Sequence, residues 1–359
     1  MSALLPGRAL DAGQPASRLW WSIPAIAAFA YPYFVLALYN SGQLLSHASN
    51  AGGILVAWIA MFVAVVLVYG VPAISLAIAI GLGRMDAPSR AQLRARRLAH
   101  LAFASPSLFV FIGVVFYLLG SANGDYLFWA LLWAAALMII AGSTDAKAAT
   151  TAGPAPSPPA WLRVSHGSSA LAILLIFLAW HLLNHMTALW SFDTNEVMMK
   201  ALRKWYRSDV VQPVLVALFI YQVVSGVALL WSHTALKADI FRTLQTATGA
   251  LLTAFIVSHL NAVFVLGRSF SQVDTTFSWA GGAPSGLLPD PWNVRLIPHY
   301  SLAVWLVITH AGLGLRMVLL NHGASRTVAN RVAWTLCALG LVVSLIILAA
   351  LLMVHAPQT

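Results

Sequence analysis

Ala179-Trp180-His181-Leu182-Leu183-Asn184-His185 stands near the end of a long apolar run, and Ile256-Val257-Ser258-His259-Leu260-Asn261 stands near the end of another. A histidine at membrane depth is costly, and a helix that contains one usually turns it toward the bundle interior or a cavity. Two apolar runs with a histidine near the same end therefore predict two helices that bind one group from opposite sides.

The composition around these runs is that of an integral membrane protein. The chain has 359 residues, of which 60% are hydrophobic and only 8% are charged. We count nine apolar runs long enough to cross a bilayer, which takes roughly 20 residues in a helix, and we expect an all-α, polytopic transmembrane bundle. The runs cover about 19–43, 54–82, 96–120, 125–143, 165–190, 211–234, 243–267, 298–321 and 332–355.

The formal net charge of +10 does not indicate nucleic-acid binding, because the twenty Lys and Arg residues lie almost wholly between the apolar runs. Loop charge of this kind orients membrane proteins, with the excess on the cytoplasmic side. An inside N-terminus places 14 of the twenty on the inner side and six on the outer side. We therefore expect a cytoplasmic N-terminus, an outside C-terminus, contact with membrane lipid, and location in a bacterial inner membrane.

Residues 144–162 predict a linker between two membrane domains. The segment contains four prolines among alanine, threonine and serine, a composition typical of flexible connections. The four runs in residues 1–143 contain no histidine or charged residue at mid-membrane, so we assign no chemistry to that domain. The five runs in residues 163–359 contain all the candidate ligands, and we expect a haem-binding, cytochrome-b-like domain there.

The termini and the single cysteine limit other possibilities. Cys337 stands alone, which excludes an internal disulfide and a cysteine-ligated cluster. Residues 1–18 are polar and lack a short apolar region with a small-residue cleavage site. We therefore expect the first apolar run to act as an uncleaved anchor.

Two connections between the runs have unusual compositions. Residues 84–97 contain five arginines, which is typical of a topology determinant that contacts lipid headgroups, with a docking surface for a soluble partner as the alternative. Residues 268–297 are rich in glycine, proline and tryptophan. We expect this long connection to fold over the membrane surface as a lid.

Depth is the first test of what the two histidines bind. His181 and His259 each lie roughly 16 residues into runs that cross in the same direction, at about 1.5 Å per residue. The imidazoles are therefore expected at matching depth in the outer half of the membrane. Gly249, ten residues before His259, leaves room for a flat macrocycle. A b-type haem with two imidazole ligands fits these features, and two separate polar contacts between helices are the structural alternative.

A second position is expected deeper in the membrane. His310 and Gln222 lie mid-membrane at similar depth, but glutamine is a poor haem ligand. The position is therefore empty, a five-coordinate haem on His310, or a polar pair, and we favour the empty or polar interpretation. His185, one turn after His181, faces the same side and is the alternative outer ligand.

Short motifs in the second half indicate a family resemblance. They are Ser165-His166, His181-Leu182-Leu183-Asn184-His185, Tyr221-Gln222-Val223-Val224-Ser225-Gly226-Val227, Leu244-Gln245-Thr246-Ala247-Thr248-Gly249, Val257-Ser258-His259, and Thr309-His310 followed by Gly312 and Gly314. With these motifs, residues of about 163–322 resemble the single-chain dihaem cytochrome b anchor of succinate dehydrogenase and quinol:fumarate reductase. That family has five spans and binds two haems through four histidines on its first, second, fourth and fifth spans.

The resemblance implies a ligand set and partners. His181 and His259 would bind the outer haem b, and the inner haem would use Gln222 and His310. Gln222 stands where the family has a histidine, and the family's third span has no clear counterpart, so we expect one haem b. The resemblance further implies a membrane quinone and separate flavoprotein and iron–sulfur subunits as partners.

Three more residues beside the long connection are candidates for the site. Arg268 and Arg295 flank this connection. Because arginine binds carboxylates in bidentate geometry, both are candidates for binding haem propionates. Contact with lipid headgroups is the alternative. His299 could contact a propionate or a quinone carbonyl, and a capping or surface role is the preferred interpretation.

The predicted function is electron transfer by a membrane b-type cytochrome with a quinone as redox partner, at most as one subunit of an oxidoreductase complex. The alternative is a non-redox membrane protein, such as a transporter, a haem or redox sensor, or an assembly subunit, on a degenerate cytochrome b scaffold. The lack of acidic residues within the runs disfavours a proton-coupled pump. No nucleophile–base set is visible, which disfavours a hydrolase or transferase.

Overall fold

The structure, a computed structural model, describes residues 15–86, 88–143 and 157–354. In these residues eight helices are long and apolar enough to cross a membrane, or nine if a bent pair of helices is counted as one span. The described part of the chain contains no β-strand. The prediction of an all-α polytopic bundle with about nine spans is confirmed, and the chain is an integral membrane protein whose outer surface contacts lipid.

Five helices lie in the described residues up to 143. They are α1 (Pro15–Ser46), α2 (Ala51–Gly83), α3 (Arg90–Phe103), α4 (Ser105–Leu118) and α5 (Gly124–Ala141). The axes of α3 and α4 differ by 69° at Ala104. Pro106 lies in the first turn of α4, and a proline there removes a backbone donor from any continuous helix, which explains the bend.

The second half forms the helices that contain the candidate ligands. They are α6 (Ala160–Ile173), a π-helical segment (Leu174–Leu178), α7 (Ala179–Thr187), α8 (Phe192–Tyr206), α9 (Val211–Thr234), α10 (Ile240–Leu260), a second π-helical segment (Asn261–Phe270), α11 (Phe277–Ala280), a 3₁₀ turn (Asn293–Arg295), α12 (Leu296–Asn321) and α13 (Arg326–Leu352). The stretch from α6 through α7 is one continuous span, and so is the stretch from α10 through Phe270.

Two sides of the bundle are distinguished by their connections. We call the side with connections 188–210 and 271–292 the loop face, and the side with connections 84–89 and 235–239 the basic face. Which face lies in the cytoplasm stays a prediction.

The two halves of the chain pack together. One apolar core contains Phe109 of α4, Trp129 and Trp133 of α5, and Ile347 of α13. An ion pair joins the start of α5 to the 3₁₀ turn, since Arg295 Nη1 lies 2.8 Å from Asp125 Oδ2 and both side chains are buried. Most of the predicted linker, residues 144–156, lies outside the described residues, and the two-domain division stays a prediction.

Helices α12 and α13 approach each other closely. A Cβ atom on Gly340 would lie 2.8 Å from the Trp305 carbonyl oxygen. The Trp305 indole donates to the Cys337 carbonyl at 3.0 Å, and the Ser344 hydroxyl donates to the Ser301 carbonyl at 2.6 Å. The last span therefore packs as a scaffold against the helix that contains His310.

Two of the five arginines between residues 84 and 97 point into the bundle. Arg96 is 2% exposed, and its Nη1 donates to the carbonyls of Thr234 at 2.8 Å and Leu236 at 2.6 Å. The Arg97 guanidinium lies 3.4 Å from the Trp231 ring centre. Cations at a helix C-terminus satisfy its free carbonyls and oppose its dipole, so these two residues hold the end of α9 rather than a lipid headgroup or a partner.

Helix α8 is an element that the sequence interpretation missed, because it treated 191–210 as a connection between two spans. The Ser191 side chain caps the helix by accepting from Thr194 N at 3.2 Å. Its inner face contains Asn195 and Met199, which are both buried. The Asn195 amide donates to the Asn184 carbonyl at 2.6 Å, so α8 is fixed across the end of α7.

The connection 271–292 lies over the ends of the helices at the loop face, as the predicted lid would. Leu287 is 1% exposed, and the Gln43 amide donates to the Pro289 carbonyl at 3.3 Å. A Cβ atom on Gly281 would lie 2.6 Å from a Val354 methyl carbon. This connection is therefore packed against the ends of α1 and α13.

Candidate functional site

The imidazoles of His181 and His259 face each other across the interior of the second half of the bundle. Their ring centres are 6.3 Å apart and their planes are inclined at 67°. His181 lies on α7 and His259 on α10, and both lie within membrane spans. The matching depth expected from the sequence is consistent with this approach.

Each of these histidines stacks on the phenylalanine one turn before it. The Phe177 and His181 ring centres are 4.7 Å apart with planes at 25°, and the Phe255 and His259 centres are 5.3 Å apart with planes at 12°. Residues four apart lie on one helix face, so the same Phe-x-x-x-His spacing gives the same support on both helices. This repeated spacing is visible in the sequence and would have strengthened the prediction of the pair.

A π-helical segment adjoins each histidine. Leu174–Leu178 ends three residues before His181, and Asn261–Phe270 begins two residues after His259. π-Helical turns are rare and are often found at functional sites. Their position beside both facing histidines distinguishes this part of the bundle from the other described spans.

His185 and His299 complete a cluster of four imidazoles. His185 Nε2 lies 3.1 Å from His181 Nε2. The His299 ring centre is 4.7 Å from that of Phe255, and His299 is only 2% exposed, so its preferred assignment to a capping or surface role was wrong. The Nδ1 atoms of His185 and His299 are buried and have no hydrogen-bond partner in the described part of the chain.

Aromatic side chains and α8 cover the cluster on the loop face. The Phe277 ring centre lies 5.4 Å from that of His185 and 6.0 Å from that of Phe192. Tyr206, at the end of α8, meets the edge of Phe177 at 5.1 Å. These aromatic rings therefore pack against the loop-face side of the cluster.

A cation beside the cluster is Arg203 of α8, which the sequence analysis did not single out. It lies close enough to His181 to interact with it electrostatically. Its Nη1 is 2.6 Å from Asp274 Oδ1 and its Nη2 donates to the Thr275 carbonyl at 2.8 Å. Its Nε is buried and has no partner among the described residues.

The two arginines proposed from the sequence have other contacts. Arg295 is ion-paired with Asp125 and lies 4.5 Å from the Phe109 ring centre, which favours a packing role. Arg268 Nη1 donates to Gln212 Oε1 at 3.0 Å. Partial burial lowers the pKa of Arg207, and the positive charges of Arg203 and Arg268 lower it further, so positive charge is concentrated at this end of α8.

The second predicted position is arranged differently from the expected pair. His310 Nδ1 lies 2.9 Å from Thr248 Oγ1. The Gln222 amide donates to the His166 carbonyl at 2.8 Å and to Ser169 Oγ at 2.5 Å. Gln222 and His310 form no hydrogen bond within the described residues, so the predicted polar pair is wrong.

The fold and the cluster together define an all-α polytopic membrane protein with a group of four buried or partly buried imidazoles between its spans. No protein-family model, curated protein or solved structure matches the chain. In the described ranges, no group of three or more His, Cys, Asp or Glu side chains could hold a metal ion. The group that the site binds therefore has to be inferred from the pairs of histidines that approach each other.

Proposed function

We propose that this protein is a membrane b-type cytochrome that holds haem b between His181 and His259 and transfers electrons, with a membrane quinone as its redox partner. The observation behind the proposal is the 6.3 Å separation of the two ring centres. Two imidazoles that share one iron have their centres about 6 Å apart, because each metal–nitrogen bond is about 2 Å long and each nitrogen lies about 1 Å from its ring centre.

The surroundings of the pair fit a haem. Stacking on Phe177 and Phe255 supports both rings, and iron bound at His181 Nε2 would replace the 3.1 Å contact of that nitrogen with His185 Nε2. Arg203 supplies a buried donor, Nε, that has no partner within the described chain. A haem propionate is a carboxylate, which arginine is suited to bind.

Different residues of the site would bind the iron and shield it from solvent. His181 and His259 would hold the iron, and the haem supplies one-electron transfer when bound. Phe277, Phe192 and Tyr206 would shield the loop-face side of the cluster. A hydrophobic shell of this kind controls solvent access and so the reduction potential of the iron.

The quinone and the separate flavoprotein and iron–sulfur subunits are proposed from the family resemblance alone. Lipid-facing spans are compatible with a quinone, because that class of carrier is dissolved in the hydrocarbon of the membrane. The chain would then be the membrane subunit of a larger oxidoreductase.

The test is a reduced-minus-oxidised spectrum, with pyridine haemochrome quantitation, of protein purified in detergent from cells supplied with a haem precursor. We expect the bands of low-spin haem b in the wild type and loss of the haem of this site in His259→Ala. His322→Ala is the matched control, because His322 is exposed and its Nδ1 contacts only the Val318 carbonyl at 2.8 Å. This variant should keep all of its haem.

A wild-type protein without haem would contradict the proposal. It would favour the alternative of a non-redox membrane protein, in which the four imidazoles are polar contacts between helices. Substrate uptake into proteoliposomes that is insensitive to His259→Ala would support that alternative.

A further inference from the structure

A cavity at the basic face lies between the ends of three spans. It has a volume of about 340 Å³ and is bordered by the start of α10, the end of α12 and the start of α13. We call it the basic pocket, and its lining includes Phe241, Arg242, Gln245, Leu313, Arg316 and Met317. None of these residues belongs to the cluster of four imidazoles, so the basic pocket is a separate site from the proposed haem.

Arg316 brings a buried positive charge to the basic pocket. Its side chain is 8% exposed. Its Nε donates to Asn330 Oδ1 at 2.8 Å, and its guanidinium carbon lies 3.9 Å from the Phe241 ring centre. Both partners are neutral, and no Asp or Glu in the described part of the chain forms a salt bridge with Arg316. A buried charge without a counter-charge is costly, so binding of an anion here would be favourable.

Arg242 supplies a second guanidinium group to the same pocket. Its Nη1 donates to Gln245 Oε1 at 3.0 Å, and its Nη2 lies 4.0 Å from the Met317 sulfur. Arg316 Nη1 lies 3.7 Å from that same sulfur, so both guanidinium groups border one atom. A thioether sulfur is only a weak acceptor, and it neutralises neither charge. The two arginines are therefore placed to bind one anion together.

The charges around the basic pocket do not balance. Arg242 interacts electrostatically with Arg163 and Arg316, and Asp239 is the only acid among the described residues that acts on it appreciably. Asp239 also has another contact, because its Oδ1 accepts from the Arg242 backbone N at 2.8 Å and so caps α10. Three guanidinium groups thus lie near one carboxylate, and a concave site with one excess sign of charge attracts the opposite sign.

The lining combines these charges with apolar side chains. Arg242 lies two residues after the start of α10, which places it at the end of a span. Arg316 lies five residues before the end of α12, a depth of roughly 8 Å, and Leu313 lies almost one turn deeper. Phe241 and Leu320 add further apolar surface. Charged groups at the membrane boundary with apolar side chains beside them match an amphiphile, whose charged head and hydrocarbon chain would contact the two parts.

We propose that the basic pocket binds the phosphate group of an anionic phospholipid, with Arg316 and Arg242 as the residues that contact it. Guanidinium groups present paired N–H donors that match phosphate oxygens, and basic pockets between membrane spans are a known type of headgroup site. Inorganic phosphate shares this chemistry, but the apolar lining around Leu313 favours the lipid. The proposal goes beyond the proposed function, because it requires no bound haem.

The experiment titrates the full chain, purified and delipidated in detergent, with phosphatidylglycerol, phosphatidylcholine or inorganic phosphate. Thermal unfolding gives the affinity, because a ligand of the folded state raises the Tm, and native mass spectrometry counts the lipids retained. We expect phosphatidylglycerol to raise the Tm saturably and one molecule to be retained preferentially, whereas phosphatidylcholine and inorganic phosphate have little effect.

Arg316→Gln and Arg242→Gln should each weaken phosphatidylglycerol binding by about tenfold or more, because each removes a hydrogen bond between charged groups. Arg90→Gln is the matched control. It removes one positive charge from the basic face, but Arg90 is exposed and does not line the pocket, so its affinity should equal that of the wild type. Arg242 is more exposed than Arg316, so Arg242→Gln provides the test if Arg316→Gln fails to fold.

Three results would overturn the inference. The first is a wild type that phosphatidylglycerol does not stabilise. The second is equal weakening in Arg90→Gln and Arg242→Gln, which would indicate general attraction to the basic face. The third is stabilisation by inorganic phosphate that equals that by phosphatidylglycerol, which would assign the pocket to a free anion. Haem content is measured separately on the same samples, so each of these results leaves the proposed function standing.

Discussion

His181 Nε2 and His185 Nε2 lie 3.1 Å apart on neighbouring turns of α7. The two ring nitrogens are thus within hydrogen-bond distance of each other on the side of α7 that approaches His259, while His185 Nδ1 is buried without a partner among the described residues. A span with two adjacent ligand candidates differs from α10, which offers only His259 to the cluster. Substitution of His181 on α7 should therefore reduce haem binding less than substitution of His259 on α10.

We expect His181→Ala to retain part of the haem at this site, because His185 can supply a nitrogen from almost the same place. His181→Ala combined with His185→Ala should lose that haem completely, as His259→Ala does. The measurement is the haem-to-protein ratio of each purified variant. Complete loss in His181→Ala alone would show that His185 cannot substitute.

Arg203→Gln should lower the midpoint potential of the haem at the His181/His259 site. A nearby positive charge favours the reduced iron, which has one positive charge fewer, so its removal shifts the potential down by an amount on the order of tens of millivolts. Lys200→Gln is the control, since Lys200 is 63% exposed and paired with Glu196 on the same helix. Equal shifts in both variants would mean that Arg203 does not act at short range.

Asp125→Ala should strongly destabilise the bundle, because it leaves Arg295 buried without its partner. Removing one member of a buried pair costs about 3–5 kcal/mol, whereas replacing both members with apolar residues is often neutral. Thermal unfolding in detergent should therefore show a large drop in Tm for Asp125→Ala and a much smaller one for Asp125→Leu with Arg295→Met.

The control for that pair is Asp86→Ala. Asp86 and Lys237 form an ion pair with side chains that are 83% and 58% exposed, and such pairs contribute about 0–1 kcal/mol. A similar loss of Tm in Asp86→Ala and Asp125→Ala would refute the assignment of Asp125 and Arg295 as a buried structural pair.

Gly340→Ala should lower the Tm through the contact between α12 and α13. The new methyl group would lie 2.8 Å from a backbone oxygen, that of Trp305, and overpacking of this kind costs about 1–3 kcal/mol. A Cβ atom on Gly314 of α12 would have no neighbour within 4 Å. Gly314→Ala should therefore leave the Tm unchanged or raise it, since alanine is more favourable than glycine in a helix by about 1 kcal/mol. Equal effects of the two substitutions would contradict this packing.

The spans were predictable from the sequence because lipid imposes long apolar runs, and this constraint is local. The run predicted at 211–234 matches α9, which is Val211–Thr234. Helix α8 was missed because it is short and charged, although Ser191 followed by buried residues at Asn195 and Met199 is the pattern of a capped amphipathic helix.

The site was only partly predictable, because its contacts depend on how each helix is rotated. The approach of His181 and His259 followed from equal depth in two spans that cross in the same direction. The hydrogen-bond partner of His310 could not be predicted in this way. Sequence position places Gln222 at a similar depth but does not show that its amide turns toward the His166 carbonyl. The π-helical segments have no sequence signal that we can identify, and they change the rotation of every residue that follows.

His166 and His181 stand 15 residues apart on one continuous span, a rise of roughly 22 Å. An iron between His181 and His259 would therefore lie toward one side of the hydrocarbon layer, which is about 30 Å thick, so that an electron reaching it from the opposite side would move through most of the transmembrane voltage. A full crossing is coupled to that voltage by about 2.3 kcal/mol per 100 mV. The energised state of the membrane would then favour one direction of electron flow and oppose the other.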